Sequence, residues 1–183
     1  MMNFLDPELL SISKSKEMGI WSPGGLSSYG VLPYIKRISK PQIEILDVNT
    51  QKGENAYFLF ENDRNFKIKS ICGVQLDSTD KKFQPLLEEN LKDYATKFSL
   101  DILKYEETNT KFNVVCINTT DLPSFELDMI MNLYYDYVCP NGIFCGNNHG
   151  KTEVKEALAR LRRSKKIGIP INVSFDNFFW YVR

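Results

Sequence analysis

At 183 residues the chain is long enough to bury roughly two-thirds of its unfolded surface in one core, so a single domain over residues 1–183 is expected and no disulfide scaffold is needed. Lys+Arg and Asp+Glu both number 23 and the isoelectric point is near 6.6, which removes the overall field that attracts nucleic acid. No apolar run reaches the roughly 18 residues of a membrane span, and the first residues carry Asp6 and Glu8 without an apolar h-region. The expectation is a soluble cytoplasmic protein with neither nucleic-acid nor membrane partners.

Residues 1–40 read as a lead-in. A short helix is expected over 7–12, and a Gly- and Ser-rich loop over 22–30 either caps the next segment or forms a flap over a ligand. An apolar segment, 31–38, follows. Residues 42–48 are rich in Ile, Leu and Val with little alternation, as a strand buried on both faces requires. A polar turn at 49–53 leads into a short aromatic helix over 55–60. Residues 66–75 form the second strand, and 82–98 carry apolar residues at helical spacing (Phe83, Leu86, Leu87, Leu91, Tyr94, Phe98).

A third strand is expected over 100–105 and a fourth, with an apolar centre, over 112–118. The spacing predicts a helix over 125–138, then a turn at Pro140-Asn-Gly142 feeding a very short fifth strand over 143–146. Val154, Ala157, Leu158 and Leu161 at i, i+3, i+4, i+7 predict a helix over 152–164 with Thr152 as its N-cap. The cations Arg160, Arg162, Arg163, Lys165 and Lys166 suit the negative end of that helix. Residues 169–175 and 177–182, separated by a tight turn at Asp176, can only pair antiparallel. Cys72, Cys116, Cys139 and Cys145 show no C-x-x-C spacing and mostly sit in apolar runs, so they read as reduced, structural thiols.

Alternating strands and helices imply an α/β fold, a three-layer, doubly wound, mostly parallel sheet with an antiparallel C-terminal hairpin. Ligands of such sheets bind at the carboxyl ends of the strands. Here those ends are 47–53, 75–77, 118–121 and 146–149.

Four stretches carry a resemblance. Glu44-Ile-Leu-Asp47-Val-Asn-Thr-Gln-Lys-Gly53 is similar to the first motif of the class I S-adenosylmethionine-dependent methyltransferases, an acid followed by Gly-x-Gly-x-Gly. Phe112-Asn-Val-Val-Cys-Ile-Asn118 resembles that family's strand-four motif, and Pro140-Asn-Gly-Ile-Phe-Cys-Gly-Asn-Asn-His149 its strand-five motif. Phe178-Phe-Trp-Tyr-Val-Arg183 resembles the last strand of its seven-stranded sheet. The resemblance covers about residues 20–183 and implies a Rossmann-like methyltransferase fold of seven strands. It also implies S-adenosylmethionine as cofactor, held by Asp47, Asn49, Gln51, Gly53, Gln75, Asp77 and Asn118. Asn49 and Gln51 stand where the family has its first two glycines, Gln75 where it has the ribose-binding acid, and Asn118 where it has the strand-four acid.

His149, the only histidine, is a candidate general base, with Asp121 as a second. No cluster of His, Cys and carboxylates has metal-ligand spacing, and an amide at 118 suits a hard cation poorly, so no metal is expected. The tyrosines Tyr134, Tyr135 and Tyr137 and the aromatic run 178–181 read either as core or as a ligand wall. The leading reading is a methyltransferase acting on a small molecule, at oxygen, with homodimerisation left open. The alternative is a fold relative that has exchanged cofactor binding for a role as a binding or assembly module. A nicotinamide-dependent oxidoreductase fits the glycine pattern no better and leaves the terminal hairpin unexplained.

Overall fold

The computed structural model describes residues 31–63, 68–76, 83–100, 110–120, 122–174 and 176–182. The expected helix at 7–12 and the loop at 22–30 lie outside them, as do Asp77 and Asp121. Seven strands are ordered β3-β2-β1-β4-β5-β7-β6 in one sheet. They are β1 (Ile43–Val48), β2 (Ile68–Val74), β3 (Phe98–Leu100), β4 (Phe112–Ile117), β5 (Val138–Gly146), β6 (Asn172–Ser174) and β7 (Asn177–Tyr181). β1 to β5 are mutually parallel, and β7 runs antiparallel to both β5 and β6. The sheet therefore winds outward in one direction from β1 to β3 and in the other from β4 to β5, and the carboxyl ends of β1 and β4 flank the point of reversal.

Alternation along the strands divides the core in two. Ile43 and Ile45 of β1, Val114 and Cys116 of β4 and Ile143 and Cys145 of β5 face one layer, made of the one-turn α1 (Leu32–Ile35), α2 (Glu54–Glu61) and α3 (Gln84–Leu91). Leu46, Val48, Val115, Ile117 and Phe144 face the other, made of α4 (Ser124–Tyr135) and α5 (Thr152–Ser164). Each central strand is apolar on both faces because each face meets a helical layer. Phe178 and Trp180 of β7 join the second layer, where Trp180 lies 5.0 Å from Phe144 and 6.1 Å from Tyr135, ring to ring. Tyr134 and the aromatics 178–180 are buried, which makes them core. No helix among the described residues is long and apolar enough to cross a membrane.

Five expectations are corrected. The helix expected over 125–138 ends at Tyr135, and Val138 opens β5. The strand expected over 100–105 starts earlier, at Phe98, and 101–105 lie outside the described residues. The helix expected over 82–98 ends at Leu91, continues as one 3-10 turn (Lys92–Tyr94), and Phe98 opens β3. Phe98 keeps its apolar spacing because it packs into the same layer from the strand. β5 is not a short strand after a turn: it spans nine residues and includes Pro140-Asn-Gly142 as an irregularity. Phe112 pairs with Val138 and Val114 with Ile143, so the turn-forming residues are looped out within the strand, with Asn141 at φ 63. A side chain at Gly142 would meet the Asn113 carbonyl at 2.7 Å, which explains the glycine there. Val182 N–H donates to Gly142 O, and Asn141 N–H to Val182 O, so the irregularity is held by the last strand. Finally, Thr152 is the first helical residue and not the cap. Lys151 occupies the cap position with extended backbone and no side-chain cap bond.

The basic end of α5 is tied to its surroundings. Arg160 pairs with Asp128 and Lys165 with Asp136. The helix stops in a Schellman arrangement, with Ile167 N–H donating to Arg162 O (2.8 Å) and Lys166 N–H to Arg163 O (3.3 Å). Lys166 holds the left-handed position at φ 53, where glycine is unstrained. Lys166→Gly is expected to raise stability by about 0.5–1 kcal/mol. Thermal unfolding followed by circular dichroism should place the variant about 1–4 °C above the parent.

Candidate functional site

The candidate site begins where β1 ends. Residues 49, 51 and 53 alternate in the left-handed region, with Asn49 at φ 60, Gln51 at φ 48 and Gly53 at φ 85. A non-glycine residue there costs about 1–2 kcal/mol, less for Asn, so the shape must be imposed by its surroundings. Asp47 imposes it from below. Its carboxylate, fully buried, accepts Thr50 Oγ1–H at 2.6 Å and Asn55 Nδ2–H at 3.1 Å, bracketing the loop. Thr50 N–H donates to Val74 O and Gly53 N–H to Thr50 O. Asn90 Nδ2 donates to Lys52 O, tying the loop to α3. Gly53 is required twice: by its φ, and because a Cβ would come within 2.9 Å of Leu91 Cδ1.

The side chains of the loop reach across the point of reversal. Asn49 Nδ2 donates to Asn118 O (2.9 Å) and Thr120 O (3.0 Å), and Gln51 Nε2 donates to Thr120 O (3.5 Å). Gln75 makes a two-point contact with Gln51: its Oε1 accepts the Gln51 N–H (3.1 Å) and its Nε2 donates to Gln51 O (2.9 Å). Six of the residues expected to hold a cofactor, Asp47, Asn49, Gln51, Gly53, Gln75 and Asn118, thus surround one loop. They are bonded to one another and to main chain.

Several residues of this network escaped the sequence reading. Asn118 Oδ1 accepts Thr120 N–H (3.1 Å) and Asn147 Nδ2–H (3.0 Å). Asn147 Oδ1 accepts Thr119 N–H (2.7 Å), and Asn148 Nδ2 donates to Thr119 Oγ1 (3.0 Å). The signal was present: Asn118-Thr-Thr120 and Asn147-Asn148 each follow a strand, and adjacent parallel strands bring such ends together. His149 lies just beyond this rim and is half-buried. Its main-chain N–H donates to Asp176 O (2.9 Å), while Asp176 Oδ1 accepts Gly150 N–H (2.6 Å), so the β6–β7 turn is tied to this loop and its carboxylate lies near the imidazole. Burial, then the charge of Lys155, pull the imidazole pKa below its usual value, and Asp176 partly opposes them. A neutral ring near pH 7 can accept a proton.

Two cavities lie elsewhere. One of about 440 Å³ is walled by Tyr135 and residues 165–170 at the end of α5, and one of about 560 Å³ by α3, Phe98 and Leu100. Neither includes a wall residue from 47–53, 118–120 or 146–149.

No protein-family model matches the sequence, and no curated protein does. Solved structures do. The O-methyltransferase from Bacillus cereus in complex with SAH is 11% identical with a TM-score of 0.63, over 100% of this chain and 94% of that one. A methyltransferase from Pyrococcus furiosus is 14% identical with a TM-score of 0.56, over 96% and 95%. The ribosomal protein L11 methylase from Lactobacillus delbrueckii subsp. bulgaricus is 16% identical with a TM-score of 0.54, over 84% and 77%. The chain shares the fold of S-adenosylmethionine-dependent methyltransferases, including the seven-stranded sheet and the antiparallel terminal hairpin.

The acids under the loop set a pH dependence. Burial pushes Asp47 up to about 6 against the hydrogen bonds of Thr50 and Asn55. Burial, with the charge of Asp47 adding to it, pushes Glu54 to about 7. A raised carboxyl pKa means the folded state binds protons more tightly than the unfolded chain, so this contribution to stability is present at acid pH. It is lost as pH rises from about 4 through about 6 and 7. For Asp47 the loss amounts to about 3 kcal/mol. Asp47→Asn is isosteric, and the Thr50 hydroxyl can turn to accept from the new amide. Urea unfolding should find it more stable than the parent at pH 8, with a smaller loss of stability between pH 4 and 7.

Proposed function

We propose that the chain is an S-adenosylmethionine-dependent methyltransferase of the cytoplasm, acting on a small molecule with oxygen as the methyl acceptor. The observation that carries this reading is the 49–53 loop: three alternating left-handed residues, braced by a buried acid, at the head of the central strand. Its support is the fold shared with methyltransferases over nearly the whole chain, one of them carrying SAH. The backbone of the loop suits the group, since the left-handed turns occur at the three positions where the resembling motif has glycine. In this reading the main chain at 49–53 holds the methionine part, Gln75 and Asp77 the ribose, and Asn118 flanks them, while Asp47 shapes the loop from beneath.

When bound, the cofactor supplies a methyl group already activated on a sulfonium. What remains for the chain is to align the acceptor and to take its proton. His149 is assigned the base, supported by its lowered pKa and its position at the rim beyond Asn148. Asp121 is the second candidate, following Thr120 directly in the chain.

A second reading, a fold relative serving as a binding or assembly module, is favoured by one observation. The side-chain amides of Asn49, Gln51 and Gln75 all make hydrogen bonds within the chain. Isothermal titration with S-adenosylhomocysteine separates the two. Saturable binding is expected and would exclude the module, and absence of heat at millimolar ligand would end the methyltransferase reading. In a screen of hydroxylated small molecules that follows S-adenosylhomocysteine release, His149→Gln should lower kcat/KM by about 100-fold or more. The parent's rate should fall on the acid side, below pH 6.5, and a variant with an unchanged rate and profile would remove His149 from the chemistry.

A further inference from the structure

We infer that Asn49 and Gln51 form a latch that closes the site against the carbonyl of Thr120, so that affinity at this site is set by release of two amide side chains. The inference rests on the donor-binding reading of the 49–53 loop. Its basis is an asymmetry between the two sides of the point of reversal.

The β4 side is fixed. Thr120 N–H donates to Asn118 Oδ1 (3.1 Å), and Thr120 Oγ1 accepts from Asn147 Nδ2 (3.4 Å) and Asn148 Nδ2 (3.3 Å). Those amides are themselves held through Thr119, whose hydroxyl donates toward Asn147 O (3.0 Å) and accepts from Asn148 Nδ2. Asn118, Thr119, Asn147 and Asn148 are buried, as Asn49 is, and what sets the rim apart is that its members cross-link one another through several bonds, whereas Asn49 and Gln51 each reach it through one terminal amide. The Thr120 carbonyl is therefore a rigid acceptor.

The β1 side has two kinds of contact to the rim. Asn118 N–H donates to Val48 O, a strand bond that stays in place, and the remaining contacts run through the terminal amides of Asn49, which is buried, and of Gln51, which is half-buried and whose contact is long at 3.5 Å. Turning those side chains leaves the backbone in place, because Gln75 pins both main-chain groups of Gln51 and Asp47 braces Thr50 and Asn55. Opening strips the carbonyls of buried Asn118 and half-buried Thr120 of these donors, and an acceptor shielded from water without a donor is costly. The closed arrangement is then the resting one. A ligand must bring its own N–H or O–H groups to these two carbonyls to hold the site open, and its affinity is reduced by the bonds it displaces.

The test is calorimetric titration of the full chain with S-adenosylhomocysteine, comparing the parent with Asn49→Gly/Gln51→Gly. Both glycines enter left-handed positions without strain, so the variant is expected to fold. It should bind about tenfold or more tightly than the parent, since the displaced bonds no longer oppose the ligand. Equal, measurable affinity in parent and variant would overturn the latch and leave the donor reading standing, whereas no binding by either protein would overturn both. Side-chain amide exchange in the ligand-free parent provides a reading independent of the variant. The Asn49 Nδ2 protons should exchange more slowly than those of exposed asparagines, and exchange at the free rate would overturn the latch.

Discussion

A buried polar group must find its hydrogen bonds inside the protein, and at the carboxyl ends of β1, β4 and β5 that requirement governs the structure. Asp47, Asn49, Thr50, Asn55, Asn118, Thr119, Asn147 and Asn148 are all buried there. Each unmet bond would cost about 1–3 kcal/mol, so a partly connected set would destabilise the fold. What forms is a closed set in which amides and hydroxyls cross-link three strand ends and shape one loop. Parallel strands make it possible, because they bring successive chain reversals to the same edge of the sheet.

The same requirement explains why the loop keeps a glycine-like path with two amides in it. Left-handed backbone at Asn49 and Gln51 is unfavourable by itself, and the bonds of Asp47 to Thr50 and Asn55 and of Gln75 to both main-chain groups of Gln51 offset that cost. A pair of glycines would follow the same path and leave a groove. The amides follow it and bridge the groove to Asn118 and Thr120. Asp47 adds a second constraint, since a carboxyl buried beneath the loop prefers its proton, while its two donors favour the charge.

Away from this edge, ordinary packing suffices. The two helical layers meet a sheet whose central strands are apolar on both faces, and the hairpin β6–β7 seals one side with Phe178 and Trp180 against Phe144. Cys116 and Cys145 face each other across β4 and β5 with sulfurs 3.5 Å apart. Both remain thiols, and the Cys145 contact together with burial raises the Cys116 pKa and keeps its proton in place. They pack as small apolar groups, as their place in apolar runs implied.

The sequence alone determined most of the architecture. Runs such as 43–48 and 112–117 read as strands between two layers, and the spacing of Val154, Ala157, Leu158 and Leu161 reads as a helix face, because hydrophobic periodicity is a local property. It also placed the ends of β1, β4 and β5 together at one edge of the sheet, through the order of strands and turns. Tertiary structure decided the rest. Pro140-Asn-Gly142 has the chemistry of a turn, and only pairing with β4 and β7 makes it an irregularity within a longer strand. Phe98 has helical spacing, and only its neighbour β2 draws it into a strand. That Asn49 and Gln51 span to Thr120, and that Gln75 clasps Gln51, depends on residues 24 to 71 positions apart meeting at one strand edge. No local pattern encodes such a meeting, because a hydrogen bond between distant residues exists only once the sheet has brought them together.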